Sequence, residues 1–248
     1  MKNRLIKKLI IGYSGKKSFL AKCFRKKYKK KYEFKCYSGN INHHLKFFKW
    51  IQKNSDLNIF INFAAITDPN KCFKHKSKAV RTNYESPKKI IDIINKANLK
   101  KFNYFLFLSS SHVFKNSFNK LNENSLKKPK NFYGHTKLLF EKYILSNKKK
   151  LNFDIGVARI FNYYNENRSK NFFINDVRRK LNSKNKEIKF NNVNTYRDFI
   201  SIKNINSALF HMIDNKLKGD FNICSGKKIY LPDIINFLNR KKNKIITY

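Results

Sequence analysis

Acidic side chains are scarce in this chain. Fifteen Asp and Glu stand against 56 Lys and Arg, a formal net charge of +41 over 248 residues. Such a surface attracts polyanions such as nucleic acid, anionic lipid or a phosphorylated metabolite. Glycine and proline are also few, at 7 and 4, and no long Gly/Ser/Pro linker divides the chain. The four cysteines (Cys23, Cys36, Cys72, Cys224) are scattered, with no C-x-x-C pair. They read as reduced thiols of a cytoplasmic protein rather than a disulfide framework, and no metal site is expected. No apolar run approaches the roughly 20 residues that cross a bilayer. The leading apolar stretch is interrupted by Lys16 and Lys17, too soon for a secretion signal.

What is present is a globular composition: 41% hydrophobic and 15% aromatic residues, too apolar for a disordered chain. The lysines run from end to end and accompany abundant Asn, Ile, Phe and Tyr. Those residues share AT-rich codons, so compositional drift accounts for much of the charge. A cationic surface would still steer an anionic metabolite.

Short apolar runs alternate with helical patterns across residues 9–161. Strands are expected at "LIIGY" (9–13), "YEFKCY" (32–37), "NIFINFAA" (58–65), "NYFLFLSSS" (103–111) and "FDIGVARIF" (153–161). Helices are expected between them, including one over 86–98 started by Ser86 and Pro87. That rhythm predicts an α/β fold, a Rossmann-like doubly wound parallel sheet. Beyond residue 162 the rhythm weakens. Helices are expected at 171–184, 204–216 and 231–240, and strands at "RDFISI" and "GDFNIC".

Five features carry chemistry. "GYSGKKS", with Gly12, Ser14, Gly15 and Ser18, follows a strand and opens a helix, where backbone N–H groups and the helix dipole meet a pyrophosphate. The following strand ends in "YSGN" without the acidic residue that usually holds the adenosine ribose, while Lys16, Lys17 and Lys35 lie nearby. This leans slightly toward a 2′-phosphorylated dinucleotide. Ala64 and Ala65 end the third strand with small side chains beside a flat ligand. The hydroxyls of "LSSSHVF" (108–114) follow the fourth strand. In "NFYGHTKLLFEKYI", Tyr133 and Lys137 share one helix face. A nearby cation favours the phenolate, so the pair would form a proton donor and acceptor. In a parallel sheet all five meet at the carboxyl ends of the strands.

These stretches, with "RTNYESPKKIIDIINKAN", "RIFNYYNENR" and "RDFISIKNINSAL", resemble the extended short-chain dehydrogenase/reductase superfamily. Its members include NAD-dependent nucleotide-sugar epimerases, dehydratases and reductases. The resemblance spans nearly the whole chain. It implies Tyr133, Lys137 and Ser110 as catalytic residues, with Lys137 lowering the Tyr133 pKa. It implies Gly12, Ser14, Gly15, Ser18, Ala64, Ala65, Asn83 and Lys137 around NAD or NADP. Ser111, which is also the alternative to Ser110, would contact substrate together with Asn162 and Arg197.

The resemblance divides the chain into an NAD(P)-binding Rossmann domain (1–161) and a small, shortened substrate-binding portion (162–248) whose chain can return to the sheet. It implies a nucleotide-sugar substrate, a role in surface polysaccharide biosynthesis, and a homodimer formed through the Tyr133 helix. The short stretch between "YEFKCY" and "NIFINFAA" implies that one unit of the usual sheet is reduced. An alternative reading is a catalytically inactive dinucleotide-fold module using its basic surface on RNA or another polyanion. No RNA-binding motif with interleaved aromatics supports that alternative, and nucleic acid is not the expected partner.

Overall fold

The computed structural model describes residues 8–164 and 173–248. The first half of the chain alternates strand and helix: β1 (Ile10–Ser14), α1 (Phe19–Tyr28), β2 (Glu33–Tyr37), α2 (His44–Lys53), β3 (Ile59–Asn62), α3 (Pro69–Lys74), α4 (Lys76–Val80), α5 (Ser86–Ala97), β4 (Tyr104–Ser110), α6 (Phe132–Asn147) and β5 (Asp154–Ile160). The second half carries β6 (Asn162–Tyr164), α7 (Phe173–Leu181), β7 (Glu187–Lys189), β8 (Tyr196–Arg197), β9 (Phe199–Ser201), α8 (Ile202–Asp214), β10 (Gly219–Ile223), β11 (Ile229–Tyr230), α9 (Leu231–Asn239) and β12 (Ile245–Thr247).

Six strands form one parallel sheet in the order β10-β5-β4-β3-β1-β2. The chain runs outward from β1 to β2, then crosses back to β3 on the other side of β1. The direction of winding therefore reverses between β1 and β3, where such sheets open a crevice at their carboxyl ends. Among the described residues the sheet stops at β2, as the short stretch before β3 implied. Residues from the second half return to it, since β10 pairs with β5.

The period of two along each strand decides which helices cover which face. Ile59, Ile61, Leu106, Leu108 and Ala158 pack with α1 and α8 through Phe24, Leu209 and Met212. Phe60, Phe105, Phe107 and Val157 pack with α2, α5 and α6 through Phe47, Ile91 and Phe140. Both sides of the strands are buried, which explains their near-continuous apolar runs. A third, smaller core gathers Val177, Leu181, Ile188, Phe190 and Ile235 from α7, β7 and α9.

Two local expectations change. "RDFISI" is two short strands rather than one, because β8 pairs with β11 and β9 with β6. Ser86 and Pro87 do not start a helix. Residues 76–97 run on continuously in helical conformation, with a wide π turn over Arg81–Glu85. Pro87 has no N–H to give the preceding turn, and a widened turn is how a helix absorbs that loss. The first residues of the helix expected at 171–184, and part of "RIFNYYNENR", lie outside the described residues.

Candidate active site

The glycine turn is built by close backbone approach. Gly15 has φ +82°, and a Cβ there would lie 2.7 Å from the Ala64 nitrogen and 2.8 Å from the Phe63 carbonyl carbon. Only glycine fits, on conformation and on space. The turn after β1 is thereby pressed onto the residues that follow β3, Phe63 and Ala64, with Ala65 next in the chain. Gly12 serves packing instead: its Cβ would meet the Leu57 side chain at 2.8 Å. Ser18, standing where a third glycine is usual, caps α1 by accepting the Ala21 N–H at 3.4 Å. Ser14 is fully buried and donates to Asn62 Oδ1 at 2.5 Å, tying β1 to β3 across the reversal point.

Lys35 already has an ion-pair partner. It is held by Asp56 at 2.7 Å, part-way along β2. Lys16 and Lys17, by contrast, are exposed at the turn. Asn83 sits in the π turn with its amide fully engaged. Its Oδ1 accepts the Ile66 N–H at 2.8 Å, and its Nδ2 donates to the Ile66 carbonyl at 2.9 Å and to Thr136 Oγ1 at 3.0 Å. It therefore pins the loop after β3 to α6.

The three serines after β4 have three different partners. Ser109 Oγ donates to Glu141 Oε1 at 2.5 Å. Ser110 Oγ accepts the His112 N–H at 3.3 Å and lies near enough to the Tyr133 phenol to lower its pKa. Ser111 begins a 3-10 turn and lines a cavity of about 400 Å³. Tyr133 occupies the first turn of α6, 7% exposed, against Cys72, Ala79 and Phe132. Lys137, one turn on and 2% exposed, donates to the Leu108 carbonyl at 2.8 Å. Its ammonium lies 4.7 Å from the Phe107 ring centroid and 5.9 Å from that of Tyr133. Phenol, hydroxyl and amine therefore converge at the carboxyl end of β4.

The expected depression of the Tyr133 pKa is absent in this structure. Burial pushes the phenol well above its ordinary value, and the nearby Ser110 hydroxyl offsets only part of the shift. Burial likewise lowers Lys137 to about 8, against the opposing electrostatic pull of Glu141 and Cys72. Desolvation disfavours both charged forms, and here it is the largest influence on each. Lys137 has one hydrogen-bond acceptor, Leu108, among the described residues. A buried ammonium has three N–H donors, so two remain for a ligand hydroxyl pair such as a ribose. Together with the close-approach turn and the α1 N-terminus, this donor set fits a dinucleotide.

The cavity beside Tyr133 brings Ser111, Asn162 and Arg197 together with His112, Asn131 and Tyr196. Pairing of β6 with β9 sets Asn162 opposite Phe199, which places Arg197 two residues away. Arg197 is exposed and braced by its bonds to Thr195 Oγ1 at 3.0 Å and the Tyr196 carbonyl at 2.7 Å. Asp198 accepts the Ser225 and Gly226 N–H groups at 2.8 and 2.7 Å, fixing the turn after β10.

Sequence reasoning missed a buried cluster behind this site. Arg159, fully buried, donates to Glu141 at 2.8–3.2 Å, to the Glu123 carbonyl at 3.1 Å, and to Asp220. It joins β5, β10, α6 and the loop after β4. Glu141 lies four residues after Lys137 on the same helix, a spacing visible in the letters. Its partner on a distant strand is not. Asn131 was also missed, although an asparagine just before an apolar helix is a recognisable cap.

A doubly wound sheet with a glycine turn at its reversal point, and a Tyr–Lys–Ser group beside a polar cavity, defines a dinucleotide-type α/β protein. The chain matches the NAD dependent epimerase/dehydratase family over residues 16–224 and belongs to it. No curated protein matches it. Among solved structures, it is similar to RMD of Pseudomonas aeruginosa complexed with NADPH (TM-score 0.84, 17% identity, 96% of this chain and 86% of that one). It is similar to a dTDP-4-dehydrorhamnose reductase of Clostridium acetobutylicum (0.82, 21%, 96% and 83%). It is also similar to Thermus thermophilus UDP-glucose 4-epimerase in complex with NAD (0.82, 11%, 96% and 86%). At these identities the likeness is one of fold. Among the described residues, no helix is long and apolar enough to cross a membrane, and no cluster of metal-ligating side chains occurs.

Proposed function

We propose that this protein catalyses NAD(P)-dependent oxidation–reduction or epimerisation of a nucleotide-linked sugar. The observation that carries the reading is the meeting of Tyr133, Ser110 and Lys137 at one strand end, beside the cavity that holds Ser111, Asn162 and Arg197. In this reading residues 1–161 bind the coenzyme and 162–248 complete the substrate site. A bound nicotinamide would supply or accept the hydride.

The chain's own groups do the rest. Gly15, Ala64 and Ala65 leave backbone accessible to the dinucleotide, and Ser18 orients the helix end behind its phosphates. Lys137 holds a ribose with its free donors. Ser110 and Tyr133 bind one sugar oxygen between them, and Tyr133 Oη carries the proton to or from it. A phenol that burial keeps protonated suits delivery of a proton to a carbonyl oxygen. Arg197 meets the substrate diphosphate with charge-assisted bonds.

The test is a screen of NADH and NADPH against a panel of nucleotide sugars, followed by thermal shift and nicotinamide absorbance. Turnover that disappears in Tyr133→Phe, with coenzyme binding kept, is expected. Full activity in that variant, or failure of the wild-type chain to bind either coenzyme, would overturn the assignment.

A further inference from the structure

The cavity beside Tyr133 contains a titratable ring to which the function above gives no role. His112 lies in the short turn after β4. Its ring packs edge-on against that of Tyr133, with centroids 5.6 Å apart and planes at 67°. It lines the same cavity as Ser111, Asn162 and Arg197. One ring nitrogen is engaged already, Nδ1 lying 2.6 Å from Asn131 Nδ2.

Asn131 decides which form of the ring this contact admits. It caps α6, and its Oδ1 accepts the Gly134 N–H at 2.9 Å. That N–H must meet an oxygen, so the amide cannot be turned over, and its amino group faces His112. An amide nitrogen donates and does not accept. Nδ1 must therefore be the acceptor and carry no proton, which leaves the proton of the neutral ring on Nε2. The surroundings also oppose the imidazolium. Burial comes first, and the Arg197 charge on β8 follows. Lys115 and Lys130, on the loop bordering the cavity, add charge of the same sign, while Tyr133 on α6 stays protonated.

We propose that His112 is a substrate-contacting residue of this site: a neutral imidazole, locked by Asn131 as the Nε2–H tautomer, that donates a hydrogen bond to an oxygen of the sugar held next to Tyr133. The inference rests on the proposed function and deepens it. A ring whose outward nitrogen already bears its proton offers a hydrogen bond and takes none, so the proton of the reaction passes through Tyr133. Nothing in the positions of Asn131 and His112 along the chain announces this coupling. It follows from the helix cap dictating the orientation of one amide.

The test begins with long-range ¹⁵N spectra of the full chain between pH 6 and 8, with the His112 signal assigned by its loss in His112→Gln. A bare Nδ1 and a protonated Nε2 are expected across that range. A protonated Nδ1 at pH 7 would overturn the inference. Asn131→Asp keeps an oxygen for the Gly134 N–H and sets a second one against Nδ1. It is expected to move the proton to Nδ1 or charge the ring near neutrality.

Kinetics separate a ligand contact from a structural one. His112→Gln, whose amide nitrogen falls near the position of Nε2, is expected to retain more of kcat/KM for the sugar than His112→Phe. His112→Phe is expected to lose about tenfold or more, the scale of one hydrogen bond with its partner left unsatisfied. Coenzyme affinity should stay constant in both. Undiminished turnover in His112→Phe would overturn the contact. A wild-type chain with the expected tautomer but no turnover on any sugar would instead overturn the underlying function, and the contact with it.

Discussion

Lys137 gives the most direct test of the electrostatics of this site. Its amine is buried, bonded to a single carbonyl, and its pKa is lowered from 10.5 to about 8. A drop of that size corresponds to about 3 kcal/mol of differential interaction between the two protonation states. The folded pKa lies below the unfolded one, so between them the unfolded chain binds more protons. Stability due to this residue therefore rises with pH across the window from about 8 to 10.5.

Lys137→Met removes the charge and keeps most of the volume. At pH 7 the variant is expected to be more stable than wild type, because wild type buries an ammonium whose ionised form is disfavoured there. The loss of the hydrogen bond to the Leu108 carbonyl subtracts about 1 kcal/mol from that advantage, at every pH. On going from pH 7 to 10, the advantage should shrink by about 2.5 kcal/mol. Urea unfolding of both proteins at unit pH steps measures it, with Trp50 as reporter in its aromatic cluster with Tyr37, Phe47 and Phe60. Subtracting the two curves cancels the effect of the large net charge and the titration of the other lysines. Tyr133 does not titrate in this window, since burial holds its pKa high. A difference that stays flat with pH, or widens, would refute the reasoning.

The other expectations concern separate parts of the fold. Arg159→Met leaves Glu141 buried without its partner and should cost about 3–5 kcal/mol in urea unfolding. Arg159→Met combined with Glu141→Leu should recover most of that loss, and equal losses in both variants would refute the coupling. Gly15→Ala places a Cβ against the Ala64 backbone at a positive φ. It should lower stability by about 1–3 kcal/mol and abolish the thermal shift given by NADH, and a normal coenzyme response would show that the turn tolerates a side chain. Leu139 and Leu145 are 42% and 66% exposed on α6, the helix through which a homodimer would pair. Sedimentation should show a dimer that Leu145→Lys reduces to monomer, and identical sedimentation of the two proteins would exclude pairing through this face.

The letters alone carried the architecture of residues 9–161. Local signals were enough there: alternating apolar faces, a glycine where the backbone turns sharply, and a tyrosine and lysine one helical turn apart. Chain order then placed these groups at one end of one sheet, because parallel strands joined by helices leave no other arrangement. What the letters could not decide were relations between segments far apart in the chain. That Glu141, on a helix 32 residues further along, holds Ser109 could not be read from spacing. The direction of the Tyr133 and Lys137 shifts depends on how deeply α6 is covered, and burial there outweighs the attraction that spacing suggested. Asn83 and Lys35 fit a coenzyme by position, and only the structure shows their protein partners, Ile66 and Thr136 for one and Asp56 for the other. Hydrogen bonds and desolvation are set by what packs around a group in three dimensions, and sequence spacing reports only what lies within a turn of it.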